Sequence, residues 1–119
     1  MTPVYAPLCK TVERALMPMG FRIVDEHEFV ARFKKDSDWS IVFEGERYMQ
    51  PAFGLFLVFN FEKNSQEYYS IRLLMKIFGI DEKPSLNAQL RFISDHSKQL
   101  FDADRTYREA YDKLDNHTP

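Results

Sequence analysis

Closely spaced carboxylates are the side chains of this chain best suited to chemistry. They occur in four groups, at 25–28, 36–38, 44–46 and 102–104. General acid–base catalysis needs two carboxyl groups in unlike environments, one of them removed from water. All four groups fall where the sequence predicts turns, and solvated turn polarity is the ordinary interpretation there. We therefore expect these acids to be surface charge and no acid–base pair to form.

Other reactive residue types lack the spacing that their chemistry requires. Cys9 is the single cysteine, and its neighbours Leu8 and Val12 predict a buried, structural thiol. A metal site is considered only at His27 and Glu28 with the distant His96, and these residues lack the spacing of metal ligands within one helix or strand. The glycines stand alone in sequence, so no phosphate-binding loop or dinucleotide fingerprint is present. We expect neither a cofactor nor an enzymatic activity.

Composition limits the remaining classes of protein. The chain has 119 residues, 45% of them hydrophobic and 15% aromatic, which suits a single domain spanning 1–119 with a filled core. Its formal charge of -2 lacks the basic excess expected of a nucleic-acid binder. The first residues show no secretory signal, and no window approaches the ~18 apolar residues of a membrane helix. The expected location is the cytoplasm.

The segment Trp39–Phe61 is the most informative for the fold. It predicts two aromatic-rich strands joined by a charged corner, Glu44–Pro51. The second strand is apolar on both sides, which is typical of a strand inside a sheet that is covered on each face. Its apolar residues are Phe53, Leu55, Leu57, Phe59 and Phe61 on one side, and Ala52, Phe56 and Val58 on the other.

Helices flank this sheet in the sequence. Apolar residues at helical spacing predict a first helix that Thr2 or Pro3 opens and that Gly20 closes. Short strands are predicted at 21–24, 29–34 and 39–43, with turns at 25–28, 35–38 and 62–66. The segment 67–80 fits both a strand and a helix, and we interpret it as a strand at 68–70 that runs into a short helix ending at Gly79.

The remaining sequence is helical, with Ser85 as N-cap, an interruption at 101–104, and fraying from Asn116. The predicted fold class is therefore α+β. It has an N-terminal helix, an antiparallel meander of four to five strands, and two or three C-terminal helices packed on the sheet.

A meander places alternate turns at the same end of the sheet. The segments 25–28 and 44–50 should therefore share one end, with 36–38 at the other. This end would present an acidic edge around Arg47 and Tyr48, and Tyr and Arg are typical of protein-binding hot spots. In the alternative interpretation, Arg47 only ties down neighbouring carboxylates. Among the aromatic residues, Trp39 and Tyr48 are expected to be partly exposed.

Several motifs together resemble a known family. They are Met19–Phe21, Asp38–Tyr48, Pro51–Phe61, Tyr69–Met75 and Leu100–Tyr111. This pattern resembles the small α+β immunity proteins of bacterial polymorphic toxin and contact-dependent growth inhibition systems. The resemblance implies a cytoplasmic, non-enzymatic inhibitor that binds one toxin domain and blocks its active site. Many such toxins are nucleases with basic substrate grooves, which would suit an acidic edge.

The sequence thus predicts a toxin-neutralising protein, with the toxin's C-terminal domain as partner and a monomeric state favoured. The predicted partner-binding residues are Asp25, Glu26, Glu28, Asp36, Asp38, Glu44, Glu46, Arg47, Tyr48, Asp102 and Asp104. Two alternatives remain. One is a small-ligand module with a pocket between helix and Phe-rich sheet. The other is an accessory oligomeric subunit that docks through its C-terminal helix.

Overall fold

A computed structural model of the protein describes residues 1–60 and 65–116. Two predicted boundaries differ from the structure: Asn60, predicted to lie in the fourth strand, follows its end at Phe59 with φ 59°, and Asn116, predicted to fray, is the last residue of a helix. Phe61, most of the predicted turn at 62–66 and the predicted fraying at 117–119 lie outside the described residues. Contacts divide the chain into two compact units, 1–68 and 69–119. The predicted α+β class, with its N-terminal helix, single antiparallel sheet and C-terminal helices, is confirmed.

The first unit begins with helix α1, Ala6–Leu16. Its buried residues Cys9, Val12 and Leu16 recur at intervals of three and four, so that one stripe of the helix faces the core. The helix begins later than the predicted Thr2 or Pro3, because 3–5 form a turn whose Tyr5 and Ala6 amides donate to the Thr2 carbonyl. A short 3₁₀ turn follows, and Gly20 ends it in the left-handed region with φ 92°.

Five strands then form one sheet in sequence order, a simple meander. They are β1 Arg22–Glu26, β2 Val30–Lys34, β3 Trp39–Gly45, β4 Phe53–Phe59 and β5 Glu67–Ser70. Strand β1 is longer than predicted: Asp25 and Glu26 pair with Arg32 and Ala31 of β2 and do not form a turn. The polar sequence at 25–28 suggested a turn, but pairing with β2 extends the strand, after an irregularity between Ile23 and Asp25.

The inner strand β3 is more deeply buried than its alternation predicts. All five residues from Trp39 to Phe43 are buried, so both faces of β3 are covered. The expectation that Trp39 is partly exposed is wrong: its side chain is 5% exposed, and its ring lies 4.6 Å from that of Phe59. Strand β4 is also buried on both faces, through Leu55 and Leu57 on one and Val58 on the other.

The second unit is helical after the end of β5. Its helices are α2 Ile71–Ile77, α3 Leu86–Asp95, α4 Ser97–Leu100 and α5 Arg108–Asn116. The described residues therefore hold four C-terminal helical segments where two or three were predicted, because the backbone departs from helical geometry at His96 with φ -113°. The predicted N-cap is confirmed, since the Ser85 hydroxyl accepts a hydrogen bond from the Ala88 amide at 3.1 Å.

Tyrosines fix the core of the second unit. The ring of Tyr69 meets those of Tyr107 and Tyr111 edge-on, at 5.1 and 4.9 Å between centroids. The Tyr111 hydroxyl accepts a hydrogen bond from the Ser70 amide at 2.8 Å, and the Tyr107 hydroxyl donates to the Leu100 carbonyl at 2.6 Å. Within the described ranges, none of the helices combines the length and the hydropathy needed to span a membrane.

Candidate protein-interaction site

The end of the sheet at which the β1–β2 and β3–β4 connections meet is the candidate site. Val30 pairs with Glu44, and the Gly45 amide donates to the Phe29 carbonyl at 2.7 Å. An Arg47 guanidinium nitrogen lies 3.7 Å from a Glu28 carboxylate oxygen. The prediction that 25–28 and 44–50 share one end is therefore confirmed. We call the five acids of this end (Asp25, Glu26, Glu28, Glu44 and Glu46) the acidic rim.

Residues 46–52, the tip loop, connect β3 to β4 and form hydrogen bonds among themselves. The Glu46 amide donates to the Ala52 carbonyl at 2.9 Å, and the Ala52 amide donates to the Met49 carbonyl at 2.8 Å. The Gln50 side-chain amide donates to the Arg47 carbonyl at 3.0 Å. The peptide between Gln50 and Pro51 is cis. These bonds give the loop a defined shape from its base to its turn.

Tyr5 anchors the base of the tip loop from the other end of the sequence. Its hydroxyl oxygen lies 2.7 Å from the carbonyl oxygens of both Glu46 and Ala52, and it accepts from the Glu46 amide at 2.9 Å. A phenolic hydroxyl has one hydrogen, so at any moment it donates to one of these two carbonyls. The ring is fully buried and packs edge-on against Phe29 and Phe43.

Sequence reasoning missed Tyr5 altogether. It stands just before the first helix, where its spacing from Cys9 resembles one more apolar position of that helix. The contact to the tip loop spans 41 and 47 positions along the chain, and no local pattern carries it. The one available signal is the spacing of Tyr5 from Cys9 and Val12, which would bury the tyrosine on the same helix face, because a buried phenol needs a hydrogen-bond partner.

The most exposed large apolar side chains of the described residues are at the turn of this loop. Tyr48 is 89% exposed and Met49 is 73% exposed, ahead of Met17 at 61%. The expectation of an exposed Tyr48 is confirmed, whereas Met49 was not among the predicted site residues. Two adjacent large side chains in water on an internally bonded loop are unusual, because a loop without a partner gains nothing by exposing them.

Arg47 turns back toward the sheet. Its guanidinium carbon lies 5.3 Å from the centroid of the Phe29 ring, in cation–π geometry, and Glu28 is its ionic partner. Both side chains of the ion pair are more than half exposed, so solvent screens the pair and we assign it roughly 0–1 kcal/mol. This geometry matches the alternative interpretation of Arg47 as a residue that ties down a neighbouring carboxylate.

The acidic rim is shared between the two faces of the sheet. Glu26 lies on the α1 face, where the Cys9 thiol is 3.8 Å from one of its carboxylate oxygens. Glu44 pairs with Val30 and lies on the opposite face, which also carries Tyr68. Burial is the main cause of the raised pKa of Tyr68; the Glu44 charge raises this pKa further, and Arg32 lowers it. Asp25 lies 3.3 Å from His27 at the first turn.

Four predicted partner-binding acids lie elsewhere. Asp36 and Asp38 are in the β2–β3 connection, at the opposite end of the strands from the tip loop. The Asp36 carboxylate accepts hydrogen bonds from the amides of Asp38 and Trp39 at 2.9 and 3.0 Å, which gives it a structural role in that turn. Asp102 and Asp104 belong to the second unit, where the Asp102 carboxylate accepts from the Asp104 amide at 2.9 Å.

The thiol of Cys9 lines a cavity of about 230 Å³ between α1 and β1, together with Ala6, Lys10, Glu13, Ile23 and Glu26. Burial raises the pKa of the Cys9 thiol to about 11, and the charges of Glu26 and Glu13 add to this effect. A thiol with this pKa is protonated at neutral pH and is a poor nucleophile. The part of the chain that the structure describes groups no three His, Cys, Asp or Glu side chains suitably for a metal ion.

The described residues of the second unit line shallow grooves on its surface. One, of about 360 Å³, is lined by Phe78, His96 and Tyr107 among others. Another, of about 480 Å³, is lined by Lys76, Ile77, Ala110, Lys113 and Leu114. Comparison of the chain with protein-family models, curated proteins and solved structures found no match. The proposal of a function therefore depends on the geometry of these sites.

Proposed function

We propose that this protein is a cytoplasmic, non-enzymatic immunity protein that binds a toxin domain through the tip loop and the acidic rim. The observation that carries the proposal is Tyr48, which is 89% exposed on a loop whose base is fixed by a buried hydroxyl. Large aromatic side chains of this kind supply most of the affinity in protein interfaces, on the order of 2 kcal/mol or more each. Carboxylates on both flanks add charge complementarity.

The proposed mechanism is occlusion of the toxin's active site. A nuclease toxin holds its substrate with Lys and Arg side chains, and the acidic rim presents carboxylates to such a groove. Since the rim occupies both faces at one end of the sheet, the toxin contact would wrap around that end, with Tyr48 filling a pocket at its centre. The net charge of -2 is small, so attraction would come from this local cluster of acids.

Growth rescue and co-purification test this proposal. The C-terminal domain encoded by the neighbouring upstream reading frame is expressed alone and then with this protein. We expect toxicity alone, survival with the protein, and a stable complex. An Arg47→Ala, Tyr48→Ala double variant should stay folded and protect poorly, whereas Met17→Ala, which removes an exposed apolar side chain outside the tip loop, should protect fully. A harmless upstream domain, or full protection by the double variant, would contradict the proposal.

An accessory-subunit role is the second candidate, supported by the groove of about 480 Å³ beside α5. The groove is lined by apolar Ile77, Ala110 and Leu114 together with Lys76 and Lys113. The small-ligand alternative has less support, because the cavity beside Cys9 is below the roughly 300–1,000 Å³ of typical ligand sites. A molecular mass that rises with protein concentration would favour the subunit role, which sedimentation velocity can measure.

A further inference from the structure

We propose that the tip loop is a preformed plug, whose Tyr48 and Met49 side chains enter a cleft with an apolar floor in the partner protein. The Tyr5 hydroxyl fixes the backbone of the loop in the binding conformation before the partner binds. This inference rests on the proposed function and adds the chemistry of the partner's surface. It also adds two residues to the site: Met49, which contacts the partner, and Tyr5, a positioning residue that the partner does not touch.

The leading surface of the plug is apolar. Tyr48 and Met49 follow each other at the turn and are 89% and 73% exposed. Arg47 is not part of this leading surface, because its guanidinium is directed to the Phe29 ring and the Glu28 carboxylate. A flexible thioether beside a rigid phenol fits an irregular apolar cavity and makes favourable contacts with aromatic walls.

The borders of the plug are acidic. Glu28 flanks the loop through its contact with Arg47, and Glu46 and Glu44 stand at its base. The complementary surface is therefore a concave cleft with an apolar floor and Lys or Arg side chains at its border. An enzyme's substrate-binding cleft has this shape and, where the substrate is anionic, this charge. A nucleic acid is a poor fit, because its phosphates would meet carboxylates.

The loop's backbone is ordered before any partner arrives. Its base is held by the Tyr5 hydroxyl and by the Glu46–Ala52 hydrogen bond, and its turn by the Ala52–Met49 and Gln50–Arg47 bonds. A rigid loop loses little conformational entropy on binding, which strengthens affinity without any additional contact. Conversely, loosening the loop lowers the fraction of molecules that can bind, and the apparent Kd rises by the same factor.

Removal of one oxygen atom tests the role of Tyr5. Tyr5→Phe keeps the ring that packs on Phe29 and Phe43 and deletes the hydroxyl. The Glu46 amide still has the Ala52 carbonyl at 2.9 Å, so that no amide is left without an acceptor and the variant should fold. Tyr107→Phe is the matched control, because it deletes a buried hydroxyl that donates to the Leu100 carbonyl within the second unit.

Two measurements on the intact protein separate this inference from the proposed function. The first needs no partner: amide hydrogen exchange at Glu46 and Ala52, whose amides donate the backbone hydrogen bonds of the tip loop, and the methyl NMR signal of Met49. We expect faster exchange and a shifted methyl signal in Tyr5→Phe, and neither change in Tyr107→Phe. Unchanged exchange in Tyr5→Phe would overturn the positioning role, whatever the identity of the partner.

The second measurement is the Kd for the purified upstream toxin domain, by titration calorimetry. We expect Kd to rise on the order of tenfold in Tyr5→Phe and Met49→Ala, and to remain unchanged in Tyr107→Phe. Tight binding by Met49→Ala would overturn the plug while leaving the immunity function in place. If the upstream domain does not bind the unchanged protein, the proposed function and the plug both fail, and only the exchange result on Tyr5 stands.

Discussion

Gly45 lies so close to the ring of Tyr5 that a Cβ at position 45 would stand 2.5 Å from the Cε2 atom of Tyr5. Tyr5 is fully buried and its hydroxyl is fixed by the tip loop, so the ring has no room to retreat. Position 45 must therefore lack a side chain if Tyr5 is to keep its hydrogen bonds to the tip loop.

We predict that Gly45→Ala lowers the free energy of unfolding by about 1–3 kcal/mol, the usual cost of overpacking. Urea unfolding followed by circular dichroism measures the change. Gly54→Ala is the matched control on the neighbouring strand: its Cβ would meet the ring of Phe56 at 2.8 Å, but that ring is only half-buried and can turn. Equal losses in the two variants would show that the Tyr5 contact is not rigid.

Cys9 should be unreactive in the folded protein. Its pKa is about 11 against an ordinary value of 9.0, because the thiol is buried and the carboxylates of Glu26 and Glu13 disfavour the thiolate. At neutral pH we expect slow modification by an alkylating reagent, and fast modification after unfolding in urea. Rapid modification without denaturant would contradict the burial of the thiol between α1 and β1.

The same shift predicts a pH dependence of stability. Between pH 9 and 11 the unfolded chain releases the Cys9 proton while the folded chain retains it. The unfolded state then binds fewer protons, so the free energy of unfolding falls as the pH rises through this range. Cys9→Ala lacks this loss and should show a flatter curve. Parallel curves for the two proteins would contradict the raised pKa of Cys9, since the proteins differ only at this thiol.

Helix α3 depends on its N-cap. The Ser85 hydroxyl accepts the Ala88 amide hydrogen bond, so Ser85→Ala should lower the free energy of unfolding by about 1 kcal/mol. Ser70 occupies the same position before α2 but makes no side-chain capping bond there. Ser70→Ala is therefore the control and should change stability much less. Thermal unfolding of the two variants measures the difference. A larger loss of stability in Ser70→Ala than in Ser85→Ala would be evidence against the N-cap.

Asp36 should affect folding and leave partner binding unchanged. Its carboxylate accepts two backbone hydrogen bonds in the β2–β3 turn, and Asp36→Ala should lower the free energy of unfolding by about 1–3 kcal/mol. Asp36→Asn retains an acceptor oxygen and should lose less. Growth protection by Asp36→Asn should equal that of the unchanged protein, whereas loss of protection in this folded variant would place Asp36 back in the partner contact.

The fold could largely be predicted because its signals are local. Apolar spacing defined α1, alternation defined β2 and β3, and glycines at 20 and 79 marked the helix ends, where φ is positive. The errors arose where tertiary pairing overrides local polarity. Asp25 and Glu26 look like turn residues but pair with β2. Trp39 looks like a strand end at the surface, but it is buried and its ring packs at a tilt against that of Phe59.

The candidate site was predicted only in part, for the same physical reason. Sheet topology alone brought the 25–28 and 44–50 segments together, since a meander returns alternate turns to one end. Nothing local indicated that Tyr5 would reach the main chain of the tip loop from 41 positions away, or that Arg47 would turn onto Phe29. The division of Glu26 and Glu44 between two sheet faces also depends on exact strand register, which the polar turn sequence does not define.

The Tyr5 anchor acts only on main-chain atoms, namely the amide and carbonyl of Glu46 and the carbonyl of Ala52. Any residue other than proline at 46, and any residue at 52, offers the same atoms, so the anchor does not depend on side-chain identity at these two positions. Sequence divergence at the turn can therefore proceed while the scaffold stays constant. A library randomised at Tyr48 and Met49 should yield folded proteins with new targets, and the framework could then serve as a source of engineered inhibitors.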